Sequence, residues 1–165
     1  MSVLAAEAVR MDGVLVADGA IGSNVGWPLD ARLRSSPITL RILQGKVVDA
    51  DCRHRLTRDL LWEFLARPYC NEVAEIGIGT NDGIPDFVPA DILLNERFAS
   101  FHLGVGSTQS RKLDRSLHLD FMLADCRIWM GTHMALHKSK FVLPKIATIP
   151  DRINFAVNIR LHDAL

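Results

Sequence analysis

The stretch "RSLHLDFML", Arg115–Leu123, sets an imidazole and a carboxylate two residues apart in a run otherwise built for burial. Leu117, Leu119, Phe121 and Leu123 alternate as the apolar face of a strand, with Met122 the interruption. His118 and Asp120 fall on the opposite face. Side chains two apart on a strand point the same way, about 6.5–7 Å apart along it, so both can converge on one cation. An imidazole and a carboxylate are ligand types of catalytic zinc, manganese and iron sites. The plainer reading is the solvated face of a half-buried strand. Two further groups shift the balance. His102 lies in the apolar run "FHLGVG", and Glu75 begins "EIGIGTN" beside a Gly-rich turn. Each alone has an ordinary explanation, a hydrogen-bonded core histidine and a solvated glutamate. Burying such groups costs several kcal/mol unless each meets a charge or a metal, and one ion would serve all three anomalies.

Strands must position these groups. "DGVLVADGAIGS" (Asp12–Ser23) is an apolar run closed by Gly and Ser, a strand followed by a turn. "SPITLRIL" and "KVVDAD" flank Gln44–Gly45 as a hairpin. From Arg53 the period changes: Leu56, Leu60, Leu61, Phe64 and Leu65 recur at three and four residues, predicting a helix over about residues 53–66 that Pro68 ends. "NEVAEIGIGTNDG" is a short strand entering a loop, and "PDFVPADILLNER", with two prolines, is loop plus one helical turn. "FASFHLGVGS", "RSLHLDFML" and "CRIWMG" read as three successive strands, and "DRINFAVNIRL" as another. One main helix among hairpin-connected strands implies an α+β fold dominated by antiparallel sheet. With so little helix to cover the sheet, an open edge is expected, which a second copy or a peptide would pair.

The chain has 165 residues, 48% hydrophobic and 23% charged, the composition of one ordinary globular domain spanning 1–165. Nineteen basic and nineteen acidic side chains cancel, so no electrostatic case arises for nucleic acid or an anionic membrane. No apolar run approaches the roughly 18 residues of a membrane span. "MSVLAAEAVRMDGVLVADG" lacks a basic n-region, so it is not a signal peptide and the chain is expected to be soluble and cytoplasmic. Cys52, Cys70 and Cys126 are odd in number and lack CxxC spacing, which predicts buried free thiols.

The segments "NEVAEIGIGTN", "DILLNERFASFHLGVG" and "SLHLDFML" together resemble the metal-binding half of the thermophilic, aminopeptidase T-like metallopeptidases. That family carries E-L-G-I-G-T-N, then L-L-D-E-K…G-T-x-H-x-A-L-G, then S-x-x-H-x-D. "GVLVADGAIG" and "ITLRILQGKVVDAD" resemble its upstream strand and hairpin, so the likeness runs from about Leu4 to Ile128 in unbroken order. The resemblance implies a site for one or two divalent cations (zinc, cobalt, manganese or iron) held by Glu75, His102, His118 and Asp120. A fifth ligand would be Glu7 of "LAAEAV", where Ala6 replaces the family's glycine. Two cations about 3.5–4 Å apart would activate a water and polarise a peptide carbonyl, with Glu75 bridging them.

The chain also departs from that pattern. The family's larger N-terminal α/β domain has no counterpart in this sequence. Gln109 stands near the point where the family has its catalytic tyrosine, and the single tyrosine, Tyr69, follows the predicted helix. "NER" replaces D-E-K and "ASFH" replaces G-T-x-H. Three functions are consistent with the resemblance. One is a metal-dependent aminopeptidase-like hydrolase acting on peptides. Another is a non-catalytic module recognising a leader or partner peptide by strand addition. A related superfamily member, 2,5-dihydroxypyridine 5,6-dioxygenase, implies the third, with one iron on His102, His118 and Asp120 as a two-His, one-carboxylate triad and Glu75 orienting a ligand. The implied partners are a peptide substrate or ligand and a second copy or partner protein.

Other candidates read more simply. His133 and His137 in "THMALHKSK" are four apart and would share a helix face, but Met134 stands where the zinc-peptidase H-E-x-x-H signature needs Glu. "GIGTNDG" matches neither the P-loop nor the dinucleotide fingerprint and is a turn presenting Glu75 and Asn81. Trp27, Trp62 and Trp129 are core or interface residues.

Overall fold

Strict alternation over Ile38–Leu43 demands one buried and one solvated face, and the computed structural model, which describes residues 3–7, 11–106, 117–130, 133–142 and 157–159, has it. Ile38, Leu40 and Ile42 are buried there, while Thr39, Arg41 and Leu43 are exposed. Gln44 and Gly45 turn the chain with φ of 51° and 73°. A two-residue hairpin of that hand needs positive φ at both central positions, and glycine adopts it without strain. Strand Lys46–Cys52 returns antiparallel, and Gly13–Ala17 pairs on the other side of Ile38–Leu43, closing a three-stranded sheet.

In chain order the elements are β1 (Val3–Glu7), β2 (Gly13–Ala17), β3 (Ala20–Ser23), β4 (Ile38–Leu43), β5 (Lys46–Cys52), α1 (Arg55–Leu65) and β6 (Val73–Gly79). There follow α2 (Ile92–Arg97), β7 (Phe101–Gly106), β8 (His118–Met122), β9 (Arg127–Met130), β10 (His133–His137), β11 (Lys140–Phe141) and β12 (Val157–Ile159). The helix predicted over 53–66 is α1. His54 caps it, its side chain accepting from the Thr57 amide, and Thr57, Leu61 and Leu65 form its buried stripe. The α+β class, mostly antiparallel sheet, is therefore present.

Three details differ from the sequence reading. "DGVLVADGAIGS" is two strands in two sheets, because the turn at Asp18–Gly19 passes the chain from β2 to β3. β9 does not continue the sheet of β7 and β8 but pairs with β10 and β12. His133 and His137 lie on a strand, not a helix, so they are about 13 Å apart along it rather than neighbours on one turn. "DILLNER" is a helix of six residues, α2, capped by the Asp91 side chain accepting from the Leu94 amide at 2.9 Å.

The sheet that matters for function has five strands in the order β1-β6-β7-β8-β3, all antiparallel. One of its faces is apolar. Ile76, Leu103, Phe121 and Ile21 stand opposite one another across four strands, and Val105 pairs with Leu119. Phe101, Leu103, Phe121 and Leu119 are fully buried in one cluster with Leu15, Leu40 and Leu61 from the smaller sheet and α1. Each such side chain contributes roughly 1.5–3 kcal/mol on burial, so this face anchors the strands that carry the polar residues on the other. The three cysteines are buried and unpaired. Trp27 packs against the core, Trp62 is exposed, and the Trp129 side chain lies outside the described residues.

Candidate metal centre

The polar face is set by register. Glu75 pairs with Gly104, Gly104 with Asp120, and Asp120 with Gly22, so these four positions form a row across four strands. Glu7 pairs with Glu75 at the end of that row. His102 lies two residues before Gly104 and His118 two before Asp120, on the same face. The imidazoles of His102 and His118 therefore face the same side of the molecule. A bulge is what lets Glu75 join them. By strict alternation Val73 and Glu75 would share a face, yet Val73 pairs with core-facing Val105 and Glu75 with Gly104. The register shifts between Val73 and Glu75, inserting one residue and re-aiming the carboxylate.

Two glycines make room for the rings. A Cβ at Gly77 would lie 1.9 Å from His102 Nε2, and one at Gly104 would lie 2.5 Å from His118 Nε2. Each imidazole lies flat across a neighbouring strand, which only a residue without a side chain permits.

Burial is uneven. His102 is 2% exposed and Asp120 3%, whereas the side chains of His118 and Glu75 are 14% and 34% exposed. The site is thus deep at His102 and Asp120 and reachable from the side of His118 and Glu75. His118 Nε2 lies 3.0 Å from Asp120 Oδ1, a hydrogen bond. His102 Nε2 is 3.7 Å from Glu75 Oε1, an ion-pair distance too long for a hydrogen bond. Among the described residues that buried nitrogen has no hydrogen-bond partner. The His102 imidazole beside it, aided by the charge of His118, holds Glu75 below the ordinary carboxylate range against the opposing effect of burial.

A fifth charged group belongs to this face and was missed in the sequence. Glu96, on α2, is pushed up from 4.5 to about 7 by burial first, then by the charges of Asp120 and Glu75, with His102 and His118 pulling the other way. No periodic signal marked it, because α2 is only six residues long.

Of the five ligands the family resemblance implies, Glu75, His102, His118 and Asp120 share this face. Glu7 reaches it by backbone register alone, since its side chain lies outside the described residues. Gln109 also lies outside them. The gathering is incomplete: among the described residues no three His, Cys, Asp or Glu side chains stand close enough to hold an ion as placed. The donor set nevertheless fits a cation by its chemistry. Two imidazoles and a carboxylate share one face of two adjacent strands, and a buried ring nitrogen with an unused lone pair or proton costs about 1–3 kcal/mol without a partner. Tyr69 is exposed and left-handed (φ 65°), on the loop after α1. A surface cavity of about 280 Å³ elsewhere is lined by Arg32, Arg34, Asp30 and Asp86, whose charges pair internally at 2.6 and 3.1 Å.

Because Glu96 binds its proton more tightly folded than unfolded, the metal-free protein holds more protons than the unfolded chain between about pH 4.5 and 7. Its contribution is complete below that window and lost as pH rises through it, on the order of 1–2 kcal/mol after screening of a partly exposed group. Glu75, shifted the opposite way, contributes stability that is lost only as pH falls below the ordinary carboxylate value. Denaturant midpoints of metal-free wild type and Glu96→Gln from about pH 5 to 8 test this. The wild type is expected to lose stability on rising pH where the variant does not.

No family model and no curated protein matches the chain. Among solved structures, the 2,5-dihydroxypyridine dioxygenase of Pseudomonas putida is similar, with a TM-score of 0.59 and 21% identity. The match covers 81% of this chain and 41% of that one, so the chain spans well under half the length of the enzyme it resembles. At this identity the likeness shows the fold alone. Among the described residues no helix is long and apolar enough to cross a membrane.

Proposed function

We propose that this chain binds a divalent cation, iron first, through His102, His118 and Asp120, and acts as a ring-cleaving dioxygenase of hydroxylated aromatic rings. The observation that carries the reading is the buried Nε2 of His102, without a hydrogen-bond partner among the described residues, on the same face as an imidazole–carboxylate pair two residues apart on the next strand. The fold of a dihydroxypyridine dioxygenase supports it. Two histidines and one carboxylate leave coordination positions for substrate and oxygen, which is the chemistry iron would supply when bound. This chain's own residues then hold and shield it. Glu75 orients His102 from the exposed side, and the apolar face behind β7 and β8 keeps both ligand strands rigid.

A second reading is favoured by one observation. Glu75 and Glu96 both lie within electrostatic reach of His102 and His118, so with Asp120 the face carries more carboxylates than one ion requires. Such a set would hold two cations and support aminopeptidase-like hydrolysis of peptides.

One experiment separates them. Chain reconstituted anaerobically with Fe(II) is given 2,5-dihydroxypyridine and oxygen, and parallel samples with Zn(II), Co(II) or Mn(II) are given aminoacyl amides. Oxygen uptake with loss of ring absorbance, abolished in Asp120→Asn, is expected. Amide hydrolysis with two bound ions per chain and no oxygen uptake would replace the first reading with the second.

A further inference from the structure

The underside of α2 carries a carboxylate that neither His102, His118 nor Asp120 needs in order to bind a metal. Ile92 and Glu96, four apart, share a helix face. Ile92 is seated on β3: a Cβ at Gly22, directly opposite Asp120, would meet Ile92 Cγ1 at 2.4 Å. At the other end of the helix the Glu96 carbonyl oxygen would meet a Cβ at Gly79 at 2.6 Å, so this backbone is pressed onto β6. α2 therefore reaches from β3 to β6 across the polar face.

Resting on the dioxygenase reading, we propose that Glu96 is the proton acceptor of this site, taking the proton of an acidic hydroxyl on a hydroxylated aromatic substrate without itself ligating the metal. The substrate O–H bond breaks, its electron pair stays on the substrate oxygen, and the proton moves to a Glu96 carboxylate oxygen. The other acidic groups of the face are engaged, Asp120 with His118 at 3.0 Å and Glu75 against His102 at 3.7 Å. Asp120 on β8 and Glu75 on β6 raise the proton affinity of Glu96, and His102 on β7 and His118 on β8 reduce it. The residues of β3, Ala20–Ser23, add no ionisable group. With those two carboxylates facing histidines, Glu96 is, among the described residues, the acidic group of this face left to accept a proton.

The test uses the full chain loaded with Zn(II), and 4-nitrocatechol as the hydroxylated aromatic. Calorimetry in two buffers of different ionisation enthalpy at about pH 8 counts the protons released on binding. Glu96→Gln is expected to release about one proton more per ligand than wild type, with Glu96→Asp restoring the wild-type count and Zn(II) affinity within about threefold throughout. Equal proton release in wild type and Glu96→Gln overturns the role, as does a loss of Zn(II) affinity of about tenfold or more, which would make Glu96 a ligand. Wild type that holds zinc but does not bind nitrocatechol would sink the substrate class, and this role with it.

Discussion

Gly77→Ala is expected to cripple metal binding although it replaces no proposed ligand. The added methyl would sit 1.9 Å from His102 Nε2 and 2.2 Å from Cε1, distances no relaxed packing tolerates. His102 is pinned, with Phe101 and Leu103 fully buried on either side of it in β7, so the ring must leave its place over β6. Overpacking of this kind costs typically about 1–3 kcal/mol of stability. The loss of metal affinity should be larger, about a hundredfold, because the displaced nitrogen is a proposed ligand. Gly104→Ala should act on His118 in the same way, with a milder stability cost because that ring is less buried and has room to move. Chemical denaturation together with Zn(II) titration checks both. A Gly77→Ala protein with wild-type stability and affinity would show that His102 is not where its neighbours place it.

His102→Leu should move stability and binding in opposite directions. Its Nε2 is buried with no hydrogen bond among the described residues, and an apolar side chain of similar volume removes that unsatisfied group. The metal-free variant is expected to be up to about 1 kcal/mol more stable than wild type, the lost His102–Glu75 ion pair offsetting part of the gain, while its affinity for divalent cations falls by two orders of magnitude or more. A residue that weakens the resting fold and strengthens a bound state is what a functional site produces. A structural histidine would behave differently: the leucine variant would be less stable and bind metal as wild type does.

The parts of this site that sequence made legible are those governed by local period. His118 and Asp120 two apart, and His102 inside an alternating run, required only that a strand have two faces. The α1 boundaries followed from the 3.6-residue period and Pro68, and the Gln44–Gly45 turn from the positive φ that a two-residue hairpin demands. What depends on pairing partners was not legible. Nothing in "CRIWMG" tells that β9 leaves the sheet of β8, since alternation fixes faces but not neighbours. Val73 and Glu75 have the same parity, so the bulge that sends them to opposite faces is invisible without β7. The spacing of His133 and His137 suits one face of a helix and of a strand alike, and the sheet decided between them. Glu96 was hidden in a helix of six residues, too short to show a period, and gains its role only because α2 lies across the polar face.

Folding is proposed to bring His102, His118 and Asp120 to one cation site. The most direct measurement is the metal content of desalted protein after anaerobic Fe(II) reconstitution, compared between wild type and His118→Ala. Wild type should hold at least about one iron per chain and the variant close to none. Iron below about a tenth per wild-type chain, or equal amounts in both proteins, would contradict it.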